Sequence, residues 1–174
     1  MRRIVWSRSG MAGDEPVIEH PNRRKVASKV TRLVVVLLLL VSAALILVVT
    51  IGGWHELEGA KALQVAYVVL DVLMAFLVAR WNRGVLPVAA ALAIVMLIFA
   101  AIAGPQWFER DKEGFAQPAL DASVLGLVTL LIVPVQALLI LASLQAFRQG
   151  WNVEVERRPE GRADAPPHPV PQAG

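Results

Sequence analysis

Residues 33–53 read LVVVLLLLVSAALILVVTIGG, and no charged side chain interrupts this run between Arg32 and Trp54. A helix rises about 1.5 Å per residue, so roughly 20 such residues cross the hydrocarbon core of a bilayer. The run is longer than the apolar core of a secretory signal peptide and begins after a long polar segment. We therefore expect a retained transmembrane helix here.

Three further apolar runs have a similar length. The 174 residues are 56% hydrophobic and 18% charged, whereas soluble domains are about 45–50% apolar and about 25% charged. This composition excludes a largely disordered chain and argues against a water-soluble globule. The sequence predicts an all-α fold, an integral membrane four-helix bundle, with spans at about 33–53, 62–79, 85–103 and 122–146.

The two ends of the chain differ from the 32–148 transmembrane region. Residues 1–31 form a basic tail in which Met11 is an alternative start, and residues 149–174 form a proline-rich tail. Proline lacks the N–H that helices and sheets need, so we expect disordered termini. The alternation of apolar and polar residues over 151–156 is compatible with an extended segment along the membrane surface.

Charge placement predicts the orientation of the bundle. Fourteen of the 17 basic residues precede the first span, follow the fourth span or lie in the 80–84 turn, and the other three are Lys61, Arg110 and Lys112. Basic loops resist translocation, which predicts that both termini are cytoplasmic. Four tryptophans fall just outside the predicted spans, where indole rings commonly anchor at the headgroup level; they are Trp54, Trp81, Trp107 and Trp151.

Asp71 is the one acid or base inside a predicted span, near its middle. A carboxylate facing lipid there costs about 2.5–3.5 kcal/mol. Burial disfavours the charged form, and no basic residue lies in any span to offset it. We therefore expect Asp71 to face the other helices and to be protonated or hydrogen-bonded.

Polar residues on two spans are candidate partners of Asp71. Helical spacing places Gln64 and Tyr67 on its own face, and Gln136 on the fourth span lies at a similar depth. Pro134 frees the carbonyl of Leu130, which an amide or a protonated carboxyl could satisfy. Thr129 and Ser143 share the face of Gln136. The candidate intramembrane cluster comprises Asp71, Gln64, Tyr67, Thr129, Pro134 and Gln136.

This cluster has two interpretations. Buried hydrogen bonds hold membrane helices together, and we favour this structural role. An intramembrane acid can also exchange protons, which would make the cluster a proton-linked or gated site.

The third span has no polar side chain, but it carries a stripe of small residues at Ala89, Ala93, Ala100 and Gly104. Small residues let helices approach closely. The stripe therefore predicts either packing within the bundle or a face between copies of the chain.

Enzymatic chemistry has no visible basis in the sequence. There is no cysteine, the three histidines lie outside the spans, and no nucleophile, phosphate-loop, dinucleotide or metal-ligand motif is present. We therefore expect no enzyme, no catalytic residue, no cofactor and no metal. The basic N-terminal tail lacks interleaved aromatic residues, which argues against a nucleic-acid partner.

Two segments suggest a source for the chain. Residues 81–87, WNRGVLP, and residues 146–156, AFRQGWNVEVE, resemble uncharacterised small four-span membrane proteins of actinobacterial type. The resemblance covers most of residues 20–158. It implies a bacterial plasma membrane and no activity.

The functional expectation is a non-catalytic structural or assembly component; the alternative is a proton-linked transporter or channel subunit that uses Asp71. Expected partners are the lipid bilayer and either a second copy or another membrane protein. The basic cluster before the first span could also contact anionic headgroups, although fixing the orientation explains those charges without it.

Overall fold

The computed structural model describes residues 25–110 and 118–151, and the backbone of two short strands at 17–19 and 155–157. The described residues form four long helices: α1 Val26–Gly52, α2 Lys61–Ala79, α3 Leu86–Glu109 and α4 Ala122–Arg148. Single 3-10 turns, Glu58–Ala60 and Arg83–Val85, precede α2 and α3. All four helices, α2 and α3 together with these turns, are long and apolar enough to cross a membrane, which confirms the predicted all-α fold.

Two helices run well beyond the apolar segments that predicted them. α1 begins at Val26, inside the region assigned to the basic tail, and α3 continues through Pro105 to Glu109. Hydropathy identifies only the residues that are suited to the hydrocarbon layer of the membrane. Helical backbone hydrogen bonds continue on either side of that layer, so the helices are longer than the apolar segments.

Buried positions recur along each helix at alternating steps of three and four residues. On α1 they are Val35, Leu39, Ser42, Ile46 and Val49, and α2 and α4 repeat the spacing. This is the spacing of helices that pack side by side at a small crossing angle. The face that points into the bundle is therefore a narrow stripe, and the remaining aliphatic surface faces outward.

The helices do not pack in chain order. α1 lies between α2 and α4, and α3 packs on the other side of α4 in the most extensive interface of the bundle. α2 and α3 are joined by a short turn but make only a marginal contact with each other. The first and last helices are therefore direct neighbours, and the backbones of α2 and α3 lie farther apart, with their buried side chains sharing one core cluster at the tail end.

The predicted small-residue stripe of α3 is buried and packs within the bundle. Ala89, Ala93 and Ala100 are buried, and Gly104 faces Leu130 of α4 so closely that a Cβ atom would lie 2.6 Å from a Leu130 methyl carbon. Among the residues described, the stripe thus serves the α3–α4 interface, the first of the two predicted roles.

We call the end of the bundle that carries residues 25–32, 80–85 and 148–151 the tail end, and the opposite end the far end. Trp151 fills the tail end. Its ring is fully buried and meets Trp81 edge-on, with ring centres 5.4 Å apart, while the Arg32 guanidinium lies 4.2 Å above the centre of the Trp81 ring. Trp151 Nε1 donates to Gln149 Oε1, and Gln149 Nε2 donates to Thr31 Oγ1. These contacts tie the end of α4 to α1.

Trp81 occupies a left-handed backbone conformation, with φ at 65°, directly after α2. Its N–H donates to the Val78 carbonyl, and the Asn82 N–H donates to the Leu77 carbonyl. These two bonds form the Schellman motif, whose left-handed position is usually glycine. A side chain there is strained, and the contacts of the Trp81 ring with Arg32 and Trp151 offset the strain.

The prediction that four tryptophans anchor at the headgroups is wrong for two of them. Trp107 and Trp151 are buried and close the far and tail ends of the bundle, whereas Trp54 is 44% exposed and fits the predicted role. Gly53 makes room for Trp107, because a Cβ atom there would lie 2.6 Å from the ring. Hydropathy places a tryptophan at the end of a span, but packing decides which way it points.

The tails contribute a small antiparallel ribbon. Strand β1, Val17–Glu19, pairs with β2, Val155–Arg157, with Ile18 opposite Glu156. The predicted disorder of the termini is therefore wrong for these six residues, as it is for the part of the N-terminal tail that begins α1, and part of the extended segment expected over 151–156 pairs with the other tail. Residues 1–16, 20–24, 152–154 and 158–174 of the two predicted tails lie outside the described residues.

We predict that Trp151→Ala destabilises the bundle by about 3 kcal/mol, because it empties a fully enclosed site. Trp54→Ala is the matched control: it removes the same ring from an exposed position and should cost less than about 1 kcal/mol. Unfolding in detergent measures both variants. Equal losses in the two would contradict the closing role assigned to Trp151.

Candidate functional site

A buried chain of hydrogen bonds crosses the middle of the bundle. Ser42 Oγ on α1 donates to Asp71 Oδ2 on α2 over 2.6 Å, and Gln136 Nε2 on α4 donates to the same Ser42 oxygen over 2.7 Å. All three side chains are at least 95% buried. We call Ser42, Asp71 and Gln136 the polar relay; it joins three helices through one hydroxyl group.

Each member of the relay occupies the buried stripe of its helix. Ser42 lies between Leu39 and Ile46 on α1, Asp71 lies between Tyr67 and Met74 on α2, and Gln136 follows Ile132 by one turn on α4. A polar group at such a position cannot reach lipid headgroups or water. It must find its partner inside the bundle.

The predicted direct contact between Gln136 and Asp71 is wrong. Their depths match as expected, but α1 lies beside both α2 and α4 while those two helices are not packed neighbours. Ser42 therefore mediates the contact. Ser42 was not among the predicted residues, because serine is tolerated in an apolar run. Its spacing from Leu39 and Ile46 places it on the buried face of α1 but does not show which helices meet there.

No described cationic group lies within ion-pair distance of Asp71. The one ion pair within the described residues joins Arg110 to Glu56 at the far end. A charged carboxylate without a cation is poorly stabilised in a medium of low dielectric constant. The surroundings therefore favour a neutral Asp71, which accepts the bond from Ser42 and retains a second oxygen for its proton.

Pro134 does not interrupt α4, which continues to Arg148. From the sequence, an amide or a protonated carboxyl such as those of Gln136 and Asp71 could satisfy the Leu130 carbonyl that Pro134 frees. The structure shows both side chains bonded to Ser42 instead. Pro134 is thus a neighbour of the relay along the helix and not a partner in it.

The other members of the predicted cluster lie toward the far end. Gln64 Oε1 accepts from Thr50 Oγ1 over 2.7 Å, which adds a second polar link between α1 and α2. Thr129 donates to the Leu125 carbonyl of its own helix, and Tyr67 is buried in the apolar core of the far half. The residues predicted as one cluster therefore lie in two places. Asp71 and Gln136 belong to the relay at mid-depth, and Gln64, Tyr67 and Thr129 lie nearer the far end.

A crevice of about 420 Å³ lies in the far half, between α2 and α3. Gln64 and Thr129 line it, while Ile46, Met96 and Ile132 line it at greater depth. At its outer rim, Arg110 Nη1 contacts Glu56 Oε2 over 2.9 Å. The rest of the lining consists of Val49, Leu57, Ala60, Leu63, Phe99, Ala100, Ile102, Ala103, Gln106 and Trp107.

The chemistry available in the relay is hydrogen bonding and the holding of one proton. Its atoms are a hydroxyl, a carboxyl and an amide, which are all neutral when Asp71 is protonated. In the described parts of the chain, no three histidine, cysteine or carboxylate side chains gather as metal ligands would.

The fold and the relay together define a polytopic membrane protein of four helices. Comparisons with models of protein families, with curated proteins and with solved structures found no match.

We predict that Ser42→Ala destabilises the bundle by about 1–3 kcal/mol, because it leaves two buried polar groups without their common partner. Ser143→Ala is the matched control, since Ser143 is equally buried on α4 but its hydroxyl has no partner among the described residues. That change should be neutral or stabilising. Thermal unfolding in detergent compares them, and an equal effect of both would argue against a relay that holds the helices together.

Proposed function

We propose that this protein is a non-catalytic structural or assembly component of a bacterial plasma membrane, similar to small four-span proteins of actinobacterial type. The observation that carries the proposal is the polar relay. Its only acid is bonded to a serine, and that serine accepts from a glutamine on a third helix. Such an arrangement fixes helices against one another.

Two features of the relay support a structural role. It is enclosed by the apolar cores of both halves of the bundle, and the crevice lining does not include any of its three residues. A proton-exchanging acid needs a route to water, whereas Asp71 is 5% exposed and does not line the crevice. The relay therefore fits a fixed contact better than a transport step.

We further propose that both termini face the cytoplasm. The two tails emerge at the same end of the bundle and pair through β1 and β2. The described basic side chains are concentrated at that end, with only Lys61 and Arg110 at the other; they are Lys25, Lys29, Arg32, Arg80, Arg83 and Arg148. Lys25 and Lys29, both exposed at the start of α1, are the groups suited to contact anionic headgroups.

A component that assembles needs a surface for its partner. α2 is the helix with the fewest buried residues, and its exposed side chains include Val69, Val72, Leu73 and Phe76. Outside the bilayer core such a surface would aggregate, but within it lipid, a second copy or another membrane protein can cover it.

The alternative function is a proton-linked transporter or channel subunit. The observation that favours it is the buried carboxyl of Asp71, which has no cationic partner in the described chain. Intramembrane acids of this kind often carry protons. The two candidate functions predict different effects of one substitution, Asp71→Asn.

We predict that Asp71→Asn leaves the bundle as stable as the parent. The amide has the same shape, keeps an oxygen to accept from Ser42 and carries no charge to desolvate. Asp71→Leu removes the acceptor and should loosen the bundle by roughly 0.6–2 kcal/mol, the range measured for hydrogen bonds between membrane helices. Unfolding in detergent and proton flux in proteoliposomes are the measurements.

The pair of variants separates the two functions. A stable Asn variant with the flux or growth phenotype of the parent supports the structural role. A stable Asn variant that abolishes a flux present in the parent would reject it, because asparagine cannot titrate. An Asn variant as unstable as the Leu variant would show that the relay needs the acid itself.

The proposed orientation predicts opposite signals from two reporter fusions. A reporter attached after residue 174 should be active on the cytoplasmic side, and one inserted at residues 109–113 should be active outside. Finding both in one compartment would reject four spans, and finding them exchanged would reject the orientation.

A further inference from the structure

We propose that the crevice between α2 and α3 binds a phospholipid that carries both a phosphate and an ammonium group, such as phosphatidylethanolamine. One acyl chain would lie in the crevice, and the headgroup would meet the ion pair at its rim. This site is separate from the polar relay, so it goes beyond the structural role proposed above and stands or falls independently of it.

The position of the crevice gives lipid direct access. The backbones of α2 and α3 approach each other less closely than those of the other consecutive helices, and the crevice opens between them in the far half. The side chains at its mouth are apolar and exposed: Leu63 on α2, and Phe99 and Ile102 on α3. A molecule already in the membrane can enter without crossing water.

The polarity of the crevice lining changes along the membrane normal in the same order as that of a lipid, from hydrocarbon chain to headgroup. The deepest part is made of Ile46, Met96 and Ile132, which suit a hydrocarbon chain. Gln106 and Arg110 lie toward the far end, where the helices leave the apolar layer. The polar groups on the intermediate wall already have hydrogen-bond partners, Thr50 for Gln64 and the Leu125 carbonyl for Thr129.

The rim presents both signs of charge. Arg110 and Glu56 are bonded over 2.9 Å, yet their side chains are still 41% and 22% exposed. A guanidinium has five N–H donors and a carboxylate has several lone pairs, so one shared bond leaves both able to bind further groups. A phosphate on Arg110 and an ammonium on Glu56 complement this pair, whereas a purely anionic headgroup would face the Glu56 carboxylate.

The size of the crevice favours a lipid chain over a protein helix. Its volume of about 420 Å³ lies in the range of small-ligand pockets, about 300–1,000 Å³. A helix with its side chains is about 10–12 Å across. A long flexible chain can fill a narrow space between two helices that a second helix cannot enter.

The test is native mass spectrometry of the full chain, purified and supplied with phosphatidylethanolamine or phosphatidylglycerol. Ala103→Trp places a large ring in the crevice and should lower phosphatidylethanolamine retention by about tenfold, the change that corresponds to 1.4 kcal/mol. Ala101→Trp is the matched control, because Ala101 is exposed on α3 and does not line the crevice. Its retention should stay within about twofold of the parent.

A second variant tests the headgroup contact without touching the packed core. Glu56→Gln should remove the preference for phosphatidylethanolamine over phosphatidylglycerol, because it removes the carboxylate that binds the ammonium group and repels an anionic headgroup. Glu58→Gln, at an exposed carboxylate outside the crevice lining, should keep the preference. Free phosphoethanolamine should not compete, because it lacks the acyl chain. Competition by free phosphoethanolamine would overturn the lipid assignment in favour of a soluble ligand.

Three other results would overturn the proposal. Equal retention by the Ala103 and Ala101 variants would show that lipid does not use the crevice. Equal retention of both lipids by the parent would reject the role of the ion pair. A dimer of the parent that Ala103→Trp dissociates would show that a second copy occupies the site. A folded Asp71→Asn variant should retain lipid as the parent does, which keeps this test distinct from that of the relay.

Discussion

The oxygen atom of Ser42 is the point on which the arrangement of three helices depends. It gives its proton to Asp71 and receives one from Gln136, so neither buried group is left unpaired. Inside a bilayer, apolar side chains gain little by leaving lipid for protein, and polar groups that need partners determine which helices meet. The position of one hydroxyl on α1 therefore selects α2 and α4 as its neighbours.

Close packing determines the remaining choice of neighbouring helices, at the interface between α3 and α4. The α3–α4 interface has no comparable polar contact among the described residues, and it depends instead on the fit of Leu130 against Gly104 and of Phe108 against Gly126. Without side chains at the two glycines, the helices approach until dispersion attraction becomes effective. The bundle thus combines one interface selected by hydrogen bonds with another selected by shape.

The sequence could predict the four spans because bilayer thickness fixes the length of an apolar helix. It also identified Asp71 and Gln136 and their common depth, since polar residues in such runs stand out. It could not predict Ser42 as the bridge, because that requires knowing that α1 lies between α2 and α4. All four helices are apolar on most faces, so periodicity alone does not show which face meets which helix.

The tryptophans also show that the sequence does not determine which way a side chain points in the bundle. Their place at the ends of the spans was predictable, but the inward direction of Trp107 and Trp151 depends on the space left by Gly53 and on the meeting of α1 with α4. The headgroup preference of an indole is a property of one residue. Closing the end of a bundle is a property of several helices together, which no single segment of sequence contains.

Because α1 packs against α4, the contacts of the bundle form in a fixed order during synthesis of the chain. Ser42 and Gln136 are 94 residues apart in the chain, while Ser42 and Asp71 are 29 apart. The α1–α2 hairpin can form its serine–aspartate bond as soon as two segments have entered the membrane. The surface of α1 that receives α4 then waits, exposed to lipid or to a chaperone, until the ribosome has delivered the last helix. Completion of the bundle is therefore coupled to the synthesis of α4, and a product truncated before α4 keeps that surface open.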